Sequence, residues 1–344
     1  MTLPTLGTRM AAEMAEQPDV LAALIGRRDE LGARLRECFD GALAGTVVVA
    51  RGSSDHAATG GSYLLEVATG RPVSSASPSI HMLYEAEIDY TGYVVIAVSQ
   101  SGRTPEIASS LEQARRFGGR TIAVTNDPAS PLAGIADVVI DLGAGEEVAV
   151  PATKTVTAEI AAFALIAQAI GDVGIDEGAW ARLPGQVAGV LGEPEPTARL
   201  AAWLARKDRR FATVARGYLF GAAAECALKI EETSATLSTA FSAADLRHGP
   251  IAVASTRIPV LAFAHPGPAA EDVLCLARDL RERGASVRVA GPVAGSSAEW
   301  PADVPEALAP VLAVVRSQQL ALEVARLYGV DPDSPQGLSK VTLT

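Results

Sequence analysis

The chain has 344 residues, of which 49% are hydrophobic, and this length is enough for two domains of similar size. Its formal net charge of −11 argues against a partner nucleic acid or an anionic membrane, because both require a basic face. The three cysteines, Cys38, Cys226 and Cys275, lie far apart without a CxxC pair, so the sequence predicts neither a zinc site nor a disulfide framework.

The N-terminal segment does not resemble a signal peptide, because acidic residues stand where such a peptide is basic and then apolar. The longest charge-free apolar stretch, Ile160–Gly171, is too short to span a bilayer. We therefore expect a cytoplasmic protein that does not enter a membrane. Residues 1–30 are predicted to form an amphipathic helical arm that Pro18 interrupts.

The segment AVSQSGRTPE, residues 97–106, ends an apolar run at hydroxyl-bearing residues and a glycine. The run before it, Tyr93–Val98, is short, β-branched and uncharged, which predicts a buried strand. Thr104 and Pro105 suit the start of a following helix. The turn between this strand and this helix can cradle an anion with hydroxyls and backbone N–H groups. An ordinary capped loop explains the segment equally well. Its residues are Ser99, Gln100, Ser101 and Gly102.

The chain repeats itself. Arg51 follows an apolar strand and precedes a helical stretch, and Arg216 does the same 165 residues later. Gly102 of the SQSG turn has Gly267 at the same offset, and the predicted strand RTIAV recurs near that offset as SVRVA. Three landmarks at one offset indicate a duplicated domain.

Each copy alternates short buried strands with helical stretches, which is typical of an α/β fold with a parallel sheet flanked by helices. Helices are predicted over Glu106–Phe117 in the first copy and Ala269–Arg283 in the second. The predicted organisation is an arm at 1–30, a first domain at 31–172, a linker at 173–200, a second domain at 201–331 and a non-helical tail at 332–344.

Two serine-rich loops follow strands of the first copy, and ligands of open parallel sheets bind at such carboxyl ends. One loop contains Ser53 and Ser54, and the other is the turn at 99–104. Their convergence favours an anion site. The chain lacks the P-loop, the dinucleotide fingerprint and the GxSxG motif, so a sugar phosphate fits better than a nucleotide.

The second copy replaces SQSG by AHPG but carries the helical segment AAAECALKIEETSA. Its Glu225, Lys229 and Glu232 lie on one helical face, and such a stripe is most often a solvated ladder of ion pairs. His248 precedes a Gly-Pro turn and is a candidate proton carrier. Lys340, one of only four lysines, stands in the tail, where it suggests a segment that folds back into a site.

Seven motifs in order resemble the tandem sugar isomerase (SIS) domain family. The resemblance is closest to the isomerase half of glutamine–fructose-6-phosphate aminotransferase and to SIS-type glucosamine-6-phosphate deaminase. It implies two SIS domains, each a flavodoxin-like three-layer sandwich. The motifs are EMAEQPDVL, RGSSDHA, SQSGRTPE, AGEEVAVPATK, ECALKIEE, LRHGP and GLSK.

The resemblance also implies residue roles. Glu232 would move a proton between C1 and C2, His248 of a partner subunit would assist ring opening, and Lys340 would hold or open the sugar. Glu225 and Lys229 match the acid and lysine of the family's catalytic helix. The implied ligands of the sugar phosphate are Ser53, Ser54, Ser99, Gln100, Ser101, Thr104 and the backbone of Val150 and Ala152.

Three motif variants, RGSSDHA, SGRTPE and AGEE, look more like the deaminase branch, and no glutaminase nucleophile precedes the isomerase-like segment. We therefore expect a glucosamine-6-phosphate deaminase that forms fructose 6-phosphate and ammonia. The resemblance implies a homodimer and a reaction without metal or organic cofactor. An ammonia-dependent synthase, a deglycase of phosphosugar adducts and a non-catalytic sugar-phosphate sensor remain open.

Overall fold

The computed structural model of this chain describes residues 6–340. These residues divide into two compact units. The four-strand unit contains residues 6–18, 148–153 and 177–340, and the five-strand unit contains residues 19–147 and 154–176.

The five-strand unit is built on one fully parallel sheet in the order β2-β1-β3-β4-β5. The β-branched run predicted as a strand is confirmed as β3, whose residues from Val94 to Val98 are all buried. Helices flank the sheet. The strands are β1 (Gly45–Val49), β2 (Val73–Ser75), β3 (Tyr93–Val98), β4 (Arg120–Thr125) and β5 (Val138–Asp141). The helices are α2 (Gln17–Gly26), α3 (Arg28–Phe39), α4 (Ser53–Thr69), α5 (Ser79–Met82), α6 (Pro105–Arg116), α7 (Pro131–Ile135) and α8 (Lys154–Ile170).

The four-strand unit has a second parallel sheet, in the order β7-β6-β8-β9. Its longest helix, α14, is buried along nearly all of its length. The strands are β6 (Arg210–Ala215), β7 (Leu237–Ser242), β8 (Val260–Phe263) and β9 (Val287–Ala290). The helices are α1 (Thr8–Ala15), α9 (Glu177–Leu191), α10 (Glu195–Leu204), α11 (Phe220–Ser234), α12 (Ala243–Arg247), α13 (Ala270–Glu282) and α14 (Ala309–Tyr328).

The two sheets confirm the duplication. Strand order β2-β1-β3-β4 of one sheet matches β7-β6-β8-β9 of the other. The predicted helices at 106–117 and 269–283 are confirmed as α6 and α13, with bounds shifted by one residue. The apolar cores beneath these helices repeat with the same 165-residue offset. The matching core positions are Val47 and Ala212, Val49 and Val214, Val95 and Val260, Ala97 and Ala262, and Leu111 and Leu276.

An ion pair is repeated as well. Arg51, after β1, pairs with Glu106 in the first turn of α6 at 2.9 Å. Arg216, after β6, pairs with Asp272 in the first turn of α13 at 3.5 Å. Each pair ties the loop after one strand (β1 or β6) to the helix that follows a neighbouring strand of the same sheet (β3 or β8), so both copies organise their strand ends in the same way.

The predicted linker at 173–200 differs from the structure, which places α9 and most of α10 there. Pro184 and the neighbouring glycines signal a break, yet Pro184 lies inside α9. The helix is held by tertiary contacts, because Trp180 and Leu183 are buried and Arg316 of α14 donates hydrogen bonds to the carbonyls near the end of α9. Packing here overrides the low helix propensity of proline and glycine.

One helical stretch, Glu306–Tyr328, is long and apolar enough for a membrane span by length and composition. Inside the protein 94% of its apolar window is buried, so it has the burial of a core helix. Its apolar character therefore serves the packing of α14 in the four-strand unit.

We expect Gly61→Ala to lower the free energy of unfolding by about 1–3 kcal/mol, because a Cβ at this buried position of α4 would collide with the ring of Phe163 in α8. Denaturant unfolding measures the change. Gly134→Ala is the matched control, since it also lies in a helix of this unit but its Cβ would meet no atom within 4 Å. Equal destabilisation by both substitutions would contradict the close packing of α4 on α8.

Candidate functional site

The turn after β3 gathers hydroxyl groups around a glycine. The N–H of Gly102 donates to the Ser99 carbonyl at 3.1 Å and to Ser99 Oγ at 3.2 Å. Gly102 has φ +61°, and a Cβ there would collide with Ser130. Only glycine suits this position, because a side chain would be strained by both the dihedral angle and the neighbour.

Thr104 occupies the N-cap position of α6, but its hydroxyl makes no capping hydrogen bond. Instead Thr104 Oγ1 lies 3.4 Å from Ser99 Oγ. Two hydroxyls of the predicted anion cradle therefore lie together at the start of α6. Gln100 and Ser101 belong to the same turn, and the Gln100 carbonyl accepts the N–H of Asn126 at 3.0 Å.

Ser53 and Ser54 begin α4 directly after β1 and Gly52. Ser54 is buried, and its hydroxyl donates to Glu159 of α8 at 2.9 Å. Because this donor is used, Ser54 is better suited to contact an anion through its backbone N–H. The first N–H groups of a helix have no acceptor within the helix.

Helix α11 brings Glu225, Lys229 and Glu232 together. Lys229 Nζ lies 3.4 Å from Glu225 Oε1 and forms a second, short ion pair with Glu232 Oε2. The side chains of Lys229 and Glu225 are 0% exposed, whereas that of Glu232 is 21% exposed. The general expectation of a solvated ion-pair ladder is therefore wrong here. We call these three residues the buried triad.

The environment of the buried triad changes its acid–base properties. Burial raises the pKa of Glu232, Lys229 lowers it, Glu225 raises it and Lys340 lowers it further, with a net upward direction. Burial alone would lower the pKa of Lys229, but Glu225 and Glu232 reverse this and raise it. The result is a firmly protonated lysine beside a partly exposed carboxyl whose pKa is raised, and a raised pKa is typical of a general base.

The other two predicted catalytic residues differ in their placement. Lys340 is half-buried, and its charge lowers the pKa of Glu232 in the buried triad. His248 follows α12 and is exposed. Among the described residues, no contact joins the His248 ring to the buried triad.

Val150 and Ala152 lie in a loop, residues 148–153, that belongs to the four-strand unit. Both are half-buried. The loop is anchored at its start by the carboxylate of Glu13, which accepts the N–H groups of Val148 and Ala149, and at its end by Gln318, whose side chain donates to the Thr153 carbonyl at 3.0 Å. Sequence reasoning missed both anchors, because each pairs residues more than 130 positions apart.

Within residues 6–340, no group of three or more His, Cys, Asp or Glu side chains is placed to hold a metal ion. The polar clusters described above are hydroxyls at a strand end in the five-strand unit and an ionisable triad in the four-strand unit.

Comparison with known proteins identifies the fold. The sequence profile of the SIS domain matches residues 46–169 and again residues 204–291. The chain belongs to the SIS family. The two matches cover both sheets, so the SIS domain occurs in tandem.

Curated SIS relatives are glutamine–fructose-6-phosphate aminotransferases. The protein of Gloeobacter violaceus is 34% identical over 361 residues, which cover 96% of this chain and 58% of the relative. That of Thermus thermophilus is 32% identical over 351 residues, with the same coverage. The chain thus spans less than two thirds of the length of these relatives.

Solved SIS structures agree with the fold. A protein of Silicibacter pomeroyi, provisionally described as a phosphosugar isomerase, is 31% identical with a TM-score of 0.83, over 94% of this chain and 99% of that one. Glucosamine-6-phosphate deaminase of Thermotoga maritima has a TM-score of 0.78 at 20% identity, over 98% and 100%. At 20% identity the second likeness concerns the fold alone.

We expect Lys229→Met to lower the free energy of unfolding by about 3–5 kcal/mol, because it leaves buried carboxyls without their cation. Adding Glu225→Gln should recover part of this loss, since it removes one of the stranded charges. Denaturant unfolding of both variants measures the effect. Lys207→Met is the control, because Lys207 donates an exposed hydrogen bond to the Thr256 carbonyl and has no buried carboxyl to neutralise among the described residues. A double variant as unstable as the single one would contradict the charge-pairing explanation.

Proposed function

We propose that this SIS protein is a glucosamine-6-phosphate deaminase. It would convert the amino-sugar phosphate into fructose 6-phosphate and release ammonia. The observation that carries the proposal is the partly exposed carboxyl of Glu232, whose pKa is raised and which is held by a buried lysine. The 31% identity to a protein provisionally described as a phosphosugar isomerase supports the substrate class.

In this proposal the hydroxyls and N–H groups of the turn at 99–104 bind the phosphate. The backbone N–H groups at the start of α4 bind it as well. Donors of this kind, at a strand end and a helix start, suit a phosphate dianion. The backbone of Val150 and Ala152 contacts the sugar. Lys340 and His248 assist the opening of the ring, which exposes an aldehyde at C1 beside the amine-bearing C2.

Glu232 then abstracts the proton from C2, the C–H electron pair forms the C1=C2 bond, and the carbonyl oxygen at C1 takes up a proton, which gives an enolamine. Return of the abstracted proton to C1, with loss of a proton from the nitrogen, gives a ketimine at C2. Water adds to the C=N bond, and the carbinolamine loses ammonia to leave fructose 6-phosphate. A carboxyl with a raised pKa suits both proton transfers, because it accepts a proton more readily than an ordinary glutamate.

Lys229 would keep Glu232 in place during these steps. As a fully buried ammonium bonded to the carboxylate, it restricts the side chain to one geometry. Glu225, on the other side of Lys229, balances its charge and raises the pKa of Glu232.

The identity to glutamine–fructose-6-phosphate aminotransferases favours one second candidate. The same proton transfer, run in reverse, would make glucosamine 6-phosphate from fructose 6-phosphate and free ammonia. A deglycase would use the same carboxyl on another amine adduct. A sensor that only binds sugar phosphate has no use for the buried triad, which makes catalysis the better proposal.

We also propose a cytoplasmic homodimer in which the partner subunit contributes His248 to the sugar. Leu83 and Tyr84 support a partner surface, since these large apolar side chains are 76% and 78% exposed. Sedimentation of the protein, with Leu83→Asp as a variant, tests the dimer, and an unchanged sedimentation coefficient would place the partner surface elsewhere.

We expect purified protein to release ammonia from glucosamine 6-phosphate, and Glu232→Gln to reduce kcat by at least about 100-fold while sugar-phosphate binding persists. A coupled ammonia assay measures turnover. Glu231→Gln is the matched control, because the carboxylate of this neighbouring residue accepts the N–H of Ser238 at 3.0 Å and is not part of the buried triad.

Different results would select different functions. Formation of glucosamine 6-phosphate from fructose 6-phosphate and ammonia, without the deaminating reaction, would replace the proposal by the synthase. Binding of glucosamine 6-phosphate without any turnover would indicate the sensor. Loss of binding and turnover together in Glu232→Gln would contradict its role as the base.

The pH dependence of kcat/KM should follow the ionisation of Glu232, with activity rising as the base loses its proton. Because Lys340 lowers the pKa of Glu232, Lys340→Gln should shift the acidic limb to higher pH. Glu225→Gln should shift it to lower pH, because the Glu225 charge raises that pKa. Profiles of kcat/KM against pH, measured with the wild type and the two variants, check the direction of each shift. If both variants shifted the acidic limb in the same direction, a group other than Glu232 would control it.

A further inference from the structure

Helix α1 has a buried carboxylate that the proposed reaction does not use. Glu13 is 6% exposed, and its Oε1 accepts the N–H of Val148 and, at 3.2 Å, the N–H of Ala149. Two backbone donors on one carboxylate form charge-assisted hydrogen bonds, which are stronger than neutral ones. This contact fixes the loop at 148–153 immediately before Val150.

The other end of α1 is fixed by the C-terminal tail. Gly7 stands at its N-cap and supplies no side chain to cap the helix. Asp333 takes this role from far along the chain, since its carboxylate accepts the N–H groups of Arg9 and Met10, both at 2.8 Å. Asp331 accepts the N–H of Gly7 at 3.0 Å. The tail that leads to Lys340 is therefore attached to the start of α1.

Glycine is required at the junction. Gly7 has φ +68°, and a Cβ there would collide with Leu322 of α14 and with Pro332 of the tail. The tail thus packs against the first turn of α1 with no room for a side chain. Helix α1 is clamped at its start by the tail and holds the loop at 148–153 through Glu13.

From this arrangement we propose that Glu13 is a positioning residue for the sugar, and that α1 is a brace between the loop at 148–153 and the tail. Glu13 does not touch the substrate. It fixes the backbone from which Val150 and Ala152 reach the sugar, and Asp333 keeps the helix that carries Glu13 in place. The inference rests on the proposed function, because that function makes Val150, Ala152 and Lys340 sugar contacts.

Hydrogen exchange, followed by mass spectrometry on peptides that cover 147–153, tests the structural half without any turnover. We expect Glu13→Ala to accelerate exchange at Val148 and Ala149 by about 10-fold or more, since their acceptor is lost. Asp333→Ala should accelerate the same amides to a smaller extent, because it removes the cap of α1. Glu13→Gln retains an acceptor oxygen and should restore most of the protection.

Steady-state kinetics with glucosamine 6-phosphate tests the functional half. Glu13→Ala should raise KM by about 10-fold with kcat changed less than about threefold, and Glu13→Gln should recover most of the affinity. Glu16→Ala, at the exposed residue that follows α1, is the control that should leave both constants unchanged. A fall in kcat without a rise in KM would overturn the positioning role.

The outcome stays separable from that of the proposed function. If wild-type protein does not release ammonia, the deaminase proposal fails, and binding of glucosamine 6-phosphate decides the inference. Protection of 147–153 by this sugar phosphate in the wild type, and its loss in Glu13→Ala, would support Glu13 as a positioning residue. No protection of this loop in the wild type would overturn it.

Discussion

The pairing of the Lys229 ammonium with Glu225 and Glu232 is the interaction on which the buried triad depends. Helix α11 lies buried beside α14, and its inner face carries two carboxyls in addition to the lysine. Unpaired carboxylates in such a place are so costly that they would take up protons. One cation shared by Glu225 and Glu232 lets the helix stay buried, and it lowers the pKa of the partly exposed Glu232 against the upward effect of burial. The same pairing therefore serves both the packing of the unit and the acid–base properties of Glu232.

The duplication explains why two similar sheets carry different chemistry. Both copies keep the strand order and the arginine–carboxylate pair at the strand ends. They differ in the turn that follows β3 in one sheet and β8 in the other. In the first copy, Ser99 of SQSG brings its hydroxyl to within 3.4 Å of that of Thr104, at the start of α6. In the second copy the turn is filled by the protein itself, since buried His265 donates from Nε2 to the Val304 carbonyl and accepts at Nδ1 from Trp300, while Glu306 covers Gly267. The turn rich in hydroxyls and the buried triad thus belong to different copies.

Much of the fold could be predicted from local patterns, because β-branched runs, turn glycines and a 165-residue repeat are visible in the sequence. The face shared by Glu225, Lys229 and Glu232 also follows from helical spacing. Their burial does not, since it depends on the packing of α11 against α14, a helix far along the chain, whose Ala321 carbonyl lies 3.4 Å from Thr233 Oγ1 of α11. The helix at 177–191 was missed for the same reason, because local signals from Pro184 and nearby glycines are opposed by distant packing. The roles of Glu13 and Asp333 depend on backbone partners more than 130 positions away, which no local pattern of the sequence indicates.

The brace at α1 links the order of the candidate site to the two segments near the chain ends. An isolated helix of eight residues, about 12 Å long, is not stable in water, so α1 depends on the contacts at its ends. Asp333 supplies the cap that Gly7 lacks, and Glu13 obtains its partners from the loop at 148–153. Docking of the tail therefore stabilises the helix that holds the loop, and each contact makes the next one less costly in conformational entropy. The order of the loop at 148–153 is therefore coupled, through α1, to the docking of the tail.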